Sequence, residues 1–544
     1  MIRLILNEEP RLTRSHNAIL NYLSTIFFMI VTVAMGLVST PLLIKWLGKD
    51  TFGVFRILVA YFGYLSLLEF GLSGGVSPIL ARYLGVNDEE GIVKTMAAAA
   101  RAYFRVTILT VFGGLLLSTL IVRFNLIKFD STGSTELYTA CVIYLLGFST
   151  LYLIPFRSLI EADQKTYVIV IILSVQSLLV TALSLFFAYR GWGLRGQALA
   201  TAIGTVAFYI AVVGIEARRL ASFLKRIASP SDPAVKREIR SLSRPSLIIN
   251  ISGRLSLMSD DIILGAILGA DLVSRLYVTQ RMAILAHGQL LGLGAAAWAG
   301  LANLHARGEM ELFRLKVIEV TKTIVAASIV LLAPIVAYNH AFVALWVGED
   351  MYGNGGSSGL LVISIAAINA VIIALNSFWG WTFSGTGKVG MIARQSVYAT
   401  LINISASVYC TTRFGIVGPI LGTTIATLGV SMWYLPWKMK KTFDVSLTHL
   451  AKAVFAPLCL GFVAVAILSK LAAWAPPHGW LELIVAMSLS ALSCLIAVMF
   501  ICFNQDERER WISRFAGLAA KIVRRNRPSV DEASADLAPA SLES

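Results

Sequence analysis

Apolar runs of about 20 residues or more recur along nearly all of this 544-residue chain. As a helix, a run of that length crosses a hydrocarbon core of about 30 Å. The mean hydropathy of +0.75 and the charged fraction of 14% agree, since a soluble domain carries about 25% charged residues. Membrane β-strands would alternate in polarity over about ten residues, a pattern this chain lacks. The sequence therefore predicts an all-α polytopic membrane protein.

The apolar runs predict about fourteen transmembrane helices. Their predicted positions are 17–44, 52–84, 99–122, 137–157, 166–189, 196–216, 245–269, 273–304, 317–346, 358–384, 389–411, 415–436, 450–472 and 479–503.

Basic residues are distributed unevenly between the two sides that these spans define. Of the 46 Lys and Arg residues, roughly 33 fall on the side shared by the termini and about 8 on the other, which is the positive-inside bias. Both termini are therefore predicted to be cytoplasmic, in a cell (inner) membrane. The N-terminal stretch has acids where a signal peptide needs an apolar core, so no cleavable signal is expected. The same bias explains the net charge of +15 without nucleic acid as a partner.

The chain contains an internal duplication. With a shift of 221 residues "LGKD" (47–50) falls on "LGAD" (268–271), and with a shift of 222 "GLRGQALATAIGT" (193–205) falls on "GIVGPILGTTIAT" (415–427). A nearly constant shift over about 160 residues predicts two homologous six-helix bundles, related by a pseudo-two-fold axis along the membrane normal as in transporters that rock two halves. The predicted division is a first bundle at 1–216, a basic cytoplasmic linker at 217–244, a second bundle at 245–437, two additional transmembrane helices at 438–503, and an amphipathic basic helix with a disordered tail at 504–544.

Three motifs carry a resemblance to a known family. They are "PLLIKWLGKDTFGVFRIL" (41–58), "LLEFGLSGGVSPILAR" (67–82) and "GWGLRGQALATAIGTV" (191–206). With twelve duplicated spans and two extra ones, the chain resembles the MOP superfamily, and within it the polysaccharide flippases of the O-antigen, capsule and exopolysaccharide pathways. The resemblance covers about 1–505.

The resemblance implies a function. It implies translocation of an oligosaccharide repeat unit on undecaprenyl pyrophosphate from the cytoplasmic to the outer leaflet by alternating access, in contact with membrane lipids and with a polysaccharide polymerase as a possible partner. It implies neither an enzyme nor a cofactor. The alternatives are a multidrug or cation exporter of the same superfamily and a non-transporting assembly scaffold. A glycosyltransferase would need a large external loop with catalytic acids, and the predicted outer loops are short.

Arginines within or near the spans are the candidates for binding the cargo. Ionisable groups in a membrane interior are costly and usually face a cavity or each other, and an arginine fork suits phosphate. The candidates are Arg56, Arg254 and Arg82. Arg82 is interpreted first as a positive-inside residue at the inner membrane face and second as a cargo contact.

Acids and one further arginine are candidates for ion coupling or for structural ion pairs. Glu69 lies near mid-membrane, and is interpreted as a proton carrier or as the partner of a charge on another helix. Asp260 and Asp261 lie in the seventh span, and Arg281 in the eighth at about the same depth. We predict an ion pair between Arg281 and one of these two aspartates. The charges are not copied between the halves, which favours a directional cargo site.

Two nucleotide-binding patterns occur without their context. "GWGLRG" (191–196) satisfies G-x-G-x-x-G, but a dinucleotide fold needs a strand before it. "SGTGK" (384–388) lacks the first glycine of a phosphate-binding loop and is followed by Val389. The six histidines do not cluster at ligand spacing, so no metal site is predicted.

Overall fold

Long helices are the form in which an apolar chain satisfies its backbone polar groups inside a bilayer. The computed structural model describes residues 14–65, 71–128, 133–227, 233–511 and 513. The helices of the first half are α1 (Arg14–Leu47), α2 (Lys49–Leu65), α3 (Leu72–Gly85), α4 (Glu89–Arg123), α5 (Ser134–Phe148), α6 (Ile154–Ala162), α7 (Thr166–Tyr189) and α8 (Gly193–Ile227).

The second half repeats this arrangement. Its helices are α9 (Pro233–Ile267), α10 (Ala270–Thr279), α11 (Arg281–Ala306), α12 (Met310–Val347), α13 (Gly356–Gly385), α14 (Val389–Phe414), α15 (Gly418–Ala426) and α16 (Met432–Phe443), followed by α17 (Leu447–Trp474) and α18 (Trp480–Ile501). The prediction of an all-α membrane protein is confirmed.

Within the described ranges, eleven helical segments are long and apolar enough to cross a membrane. One of them, Gly390–Phe443, holds two spans, because the chain turns at Gly415 with φ +63°. The second predicted span is not among them, because its described helices, α2 with 17 residues and α3 with 14, are each too short to be counted. The seventh predicted span, at 245–269 within α9, carries three charged residues, Arg254, Asp260 and Asp261. With these counted, the segments match the fourteen predicted spans.

Several spans are interrupted. The second resumes at α3 after Gly71, which has φ +64°, and the eighth, its counterpart in the repeat, is interrupted at Gln280 between α10 and α11. A π-helical turn at Thr427–Ser431 joins α15 to α16, and such turns are frequent at functional sites.

The predicted linker at 217–244 is helical where it is described. Helix α8 continues to Ile227 and α9 begins at Pro233. The tail predicted at 504–544 lies outside the described residues beyond position 513, so most of its amphipathic helix is not described.

Two faces of the molecule are named by the helix ends. The terminal face is where α1 begins and α18 ends; the distal face is where α1 ends and α2 begins. The charge distribution predicts that the terminal face is cytoplasmic.

The segment after α18 is attached to α12 at the terminal face. Phe503 is buried beside this helix, and the ring of Trp511 lies 6.5 Å from that of Phe503. The ammonium of Lys322 lies 2.7 Å from the carboxylate of Glu507, which also accepts a hydrogen bond from the backbone N–H of Asn504. This ion pair anchors the C-terminal segment to the second half.

Glu507 gives this attachment a pH dependence. Burial alone would raise its pKa, but the hydrogen bonds from Lys322 and Asn504 and the charges of Lys322 and Arg510 together hold the pKa below its ordinary value. A carboxylate with a lowered folded-state pKa contributes stability above its unfolded pKa and loses it as pH falls. We expect Glu507→Gln to lower the unfolding temperature by about 1–2 °C at pH 7 and to have no effect at an acidic pH where Glu507 is protonated in both the folded and the unfolded state. Glu509→Gln, at an exposed neighbour, is the control, and equal losses at both pH values would contradict the prediction.

Candidate functional site

The two halves meet where α2 crosses α10 near the distal face. A Cβ atom at Gly53 would lie 1.9 Å from the carbonyl oxygen of Ala270 and 2.9 Å from the hydroxyl of Ser274. Only glycine therefore permits this close approach. The Ser274 hydroxyl in turn donates a hydrogen bond to the carbonyl of Lys49.

These contacts have a two-fold pattern. The shift of 221 makes 49 equivalent to 270, and 53 equivalent to 274. Lys49 contacts Ser274 and Gly53 contacts Ala270, so each contact is the symmetry mate of the other. An interface of this kind is isologous, as in a two-fold dimer. The pseudo-two-fold axis inferred from the sequence therefore runs between α2 and α10.

One turn deeper, a second pair of equivalent positions meets on this axis. Arg56 and Tyr277 are 221 residues apart, and the Arg56 guanidinium carbon lies 4.2 Å from the centroid of the Tyr277 ring. This distance is that of a cation–π contact. A sequence shift alone identifies equivalent positions but not which of them touch, and so Tyr277 was missed as a site residue.

Arg56 also holds an acid of the second half. Its guanidinium nitrogen Nη2 lies 3.3 Å from Oδ2 of Asp261 on α9, and the two side chains are 27% and 15% exposed. Desolvating two charges is costly, and their attraction and hydrogen bond offset that cost only while both partners are present. The pair links the two halves at the axis.

The predicted ion pair between Arg281 and one of the two aspartates is not formed among the described residues. Asp261 faces α2, because α9 packs against α2, and among the described residues its ion pair is with Arg56. The guanidinium carbon of Arg281 instead lies 5.4 Å from the Tyr277 ring centroid. The guanidinium packs against Gly36 of α1, where a Cβ atom would lie 2.5 Å from its Nη2. Its Nε is buried and has no hydrogen-bond partner within the described ranges. The sequence prediction sought a partner only between neighbouring spans.

Asp260 points away from this pair. Its Oδ1 atom is buried and finds no hydrogen-bond partner in the described part of the chain. The phenol of Tyr64, on α2, is among the groups near it and donates a hydrogen bond to the carbonyl of Leu255 at 3.2 Å. Of the two adjacent aspartates, Asp261 is paired with Arg56, and Asp260 has no arginine partner among the described residues.

The remaining predicted residues lie elsewhere. Arg82 is at the terminal-face end of α3, where it forms a two-pronged ion pair with Glu238 of α9 at 2.8 and 3.1 Å. That Arg82 marks the inner membrane face stays a prediction. Glu69 lies outside the described residues, and Arg254 is in α9 but its side chain is not described.

At the distal face a cluster of charges joins the halves. Lys49 of the first half lies 3.7 Å from Asp271 and 4.0 Å from Asp350. Arg275 binds Asp271 at 2.8 Å and the carbonyl of Asp350 at 2.6 Å. The indole N–H of Trp346 donates to the carbonyl of Leu37 at 2.7 Å. These contacts close the distal face over the axis site.

No metal-binding group of three or more His, Cys, Asp or Glu residues was found within the described ranges. The polar atoms near the axis are arginines, carboxylates and phenols. This donor set suits the recognition of an anion or the exchange of a proton.

No family model matches the chain, and no curated protein matches it. Solved structures do. The chain superposes on the lipid II flippase MurJ in an inward closed conformation with a TM-score of 0.67 and 15% identity, over 89% of this chain and 99% of that one. The chain also superposes on an inward-facing multidrug resistance MATE family transporter of the MOP superfamily. The TM-score is 0.58 and the sequence identity 16%, over 81% of this chain and 99% of that one.

A third similar structure is a MOP superfamily transporter from Pyrococcus furiosus, for which a binding pocket of reversed polarity suggests a different function. It gives a TM-score of 0.51 and 17% identity, over 79% of this chain and 96% of that one. The chain therefore has the fold of MOP superfamily transporters, as the sequence predicts. The polysaccharide-flippase branch remains a prediction.

Proposed function

We propose that this protein is an alternating-access flippase that moves a lipid-linked oligosaccharide, carried on undecaprenyl pyrophosphate, from the cytoplasmic to the outer leaflet of the inner membrane. One observation carries the proposal. Two guanidinium groups, of Arg56 and Arg281, lie 4.2 and 5.4 Å from the centroid of the Tyr277 ring on the axis between the halves. A pyrophosphate-linked cargo is anionic and must cross between two such halves.

The two arginines have different roles in this proposal. Arg56 is neutralised by Asp261 in the state described. Arg281 has no acid within ion-pair distance among the described residues, whereas the buried Nε atoms of both arginines lack a partner there. Arg281 is therefore the group that first receives the phosphate, and Arg56 joins it when Asp261 is released. Arg254, on the same helix as Asp261, is proposed as a third cavity residue.

Alternating access follows from the closed distal face. The contacts of Lys49, Arg275 and Trp346 must separate for cargo to leave on that side. With both termini cytoplasmic, as the charge distribution predicts, the site is loaded from the cytoplasmic leaflet. A downstream polysaccharide polymerase would consume the cargo.

A second candidate function is export of a cationic small molecule. It is favoured by the carboxylate of Asp260, next to the ion-paired Asp261, whose buried Oδ1 atom has no hydrogen-bond partner among the described residues. An acidic site would attract a cation, and the chain has the fold of a multidrug transporter. The two candidates differ in the charge of their cargo.

Deleting the protein from its native cell distinguishes them. We expect lipid-linked repeat units to accumulate on the cytoplasmic leaflet and surface polysaccharide to fall to below about 1%, because diffusion of such a headgroup across hydrocarbon is negligible. The measurements are mass spectrometry of extracted glycolipids and staining of surface glycan, with the complemented strain as control. Unchanged glycan with increased sensitivity to cationic drugs would establish the exporter instead. If surface glycan is lost on deletion but is fully restored when the Arg56→Ala or the Arg254→Ala variant is expressed, the protein acts only as a scaffold.

A further inference from the structure

A cavity of about 520 Å³ opens at the distal face of the first half, away from the axis site. It lies between the start of α5 and the turn from α7 into α8. Its lining consists of Glu136, Ile143, Gly191, Trp192, Arg195 and Leu199. The turn is the "GWGLRG" stretch, which the transport function does not use.

The cavity has a built polar rim. Oε1 of Glu136 accepts a hydrogen bond from the backbone N–H of Leu194 at 3.0 Å, in the first turn of α8. A Cβ atom at Gly193 would lie 2.5 Å from that same oxygen, and Gly193 has φ +52°. Glycine is thus required for the carboxylate to reach the backbone. The bond fixes Glu136 and leaves its second oxygen for another donor.

The rim holds two opposite charges that are not paired with each other. Glu136 and Arg195 line one cavity, yet no ion pair joins them. Opposite charges kept apart across a cavity are complementary to a ligand that carries both charges. The equivalent turn of the second half, "RFGIVG" (413–418), has Phe414 for Trp192 and Val417 for Arg195, so the repeat does not retain the site.

The floor of the cavity is apolar and lies further along α5 and α8 from the distal face than the rim does. Ile143 is seven residues below Glu136, and Leu199 is four below Arg195, which places them about 10 and 6 Å deeper. The surrounding side chains are those of a membrane interface: Trp192 is 52% exposed and stacks on Phe187 with ring centroids 4.9 Å apart. Tryptophan is enriched at the headgroup level.

We infer that this cavity binds one zwitterionic phospholipid of the distal leaflet, with a phosphoethanolamine headgroup. The phosphate lies on Arg195, the ammonium donates to the free oxygen of Glu136 beside Trp192, and an acyl chain lies against Ile143 and Leu199. An ammonium with N–H groups is required, because a quaternary choline cannot donate to a carboxylate. A free saccharide is disfavoured, since it would leave the apolar floor uncovered.

Binding of defined lipids to the purified full-length protein tests this inference. Dioleoyl phosphatidylethanolamine, phosphatidylcholine and phosphatidylglycerol are added to delipidated protein in detergent, and occupancy is measured by native mass spectrometry. We expect the ethanolamine lipid to bind about tenfold more tightly than the other two. Arg195→Gln and Glu136→Gln should each remove about a tenfold advantage, the contribution of one charged hydrogen bond.

The controls separate folding, site and ligand. Glu136→Gln keeps an acceptor for the Leu194 N–H, so the unfolding temperature without lipid should stay unchanged. Arg413→Gln, at an exposed arginine on the same face of the second half, should bind like the wild type. Equal affinity for the three lipids, or unaltered affinity in both site variants, would overturn the inference. So would equally tight binding of soluble glycerophosphoethanolamine, which has no acyl chain, or displacement of the lipid by a free oligosaccharide.

Discussion

Replacing Arg56 by alanine is expected to reduce glycan export about 100-fold or more and also to destabilise the protein. The loss of export reflects charged hydrogen bonds to the cargo. The destabilisation, about 3 kcal/mol, arises because Asp261 then remains largely buried without its partner 3.3 Å away. The measurements are surface glycan in cells that express the variant and the thermal unfolding of the purified protein.

A double variant separates these two effects. In Arg56→Gln with Asp261→Asn both charges are absent, so that no uncompensated charge remains buried. We expect stability to recover while export stays lost, because the neutral pair cannot hold phosphate. Arg307→Ala, which breaks an exposed ion pair with Glu309, is the control and should leave both properties near wild type. Full export by the double variant would show that Arg56 only holds the halves together.

Replacing Gly53 by leucine is expected to reduce transport at least about tenfold by preventing closure of the distal face. A Cβ atom alone would lie 1.9 Å from the Ala270 carbonyl oxygen, so α2 and α10 must separate to admit the larger side chain. Gly292→Leu in α11 is the matched control, because a Cβ at Gly292 meets nothing within 4 Å. Transport is measured as export of glycan at equal protein levels.

The separation itself is observable at Ser274. In a background without native cysteines, Ser274→Cys should react slowly with a membrane-impermeant thiol reagent added at the distal face, and rapidly once Gly53→Leu is present. A disulfide between Lys49→Cys and Ser274→Cys should instead hold the face closed and stop transport until it is reduced. A disulfide within the first half, between Val180→Cys and Gly204→Cys, should be tolerated. Unimpeded transport by the cross-linked protein would refute movement of α2 against α10.

The sequence contains most of the fold but little of the side-chain geometry. Hydropathy determines spans because burial of about 20 apolar residues in lipid outweighs every local preference. Interruptions such as those at Gly71 and Gln280 involve so few residues that they barely change the hydropathy averaged over a span. They could therefore not be predicted from hydropathy. The two-fold relation was visible as a shift of 221, yet only the structure shows that 53 meets 270 and 56 meets 277.

The candidate site was predicted in part. Arg56, Asp261 and Arg281 do lie around one point, because charged groups in lipid converge on a shared polar interior. Their pairing was not predictable, since it depends on which helices of opposite halves are adjacent. Tyr277 was not predicted as a site residue, because a tyrosine in an apolar run is ordinary and its equivalence to Arg56 does not show that the two residues touch.

The contact between Arg56 and Tyr277 also bears on how a duplicated protein can arise. A dimer of two identical halves would place the same residue on both sides of its axis, so that two arginines would repel each other there or two tyrosines would leave the centre uncharged. Joining the halves into one chain removes this restriction. The axis is the position where divergence after gene fusion has the largest effect, because only there does a residue face its own duplicate. A fused chain can therefore have an asymmetric centre of this kind, with a cation on one side and an aromatic ring on the other. A dimer of identical halves cannot.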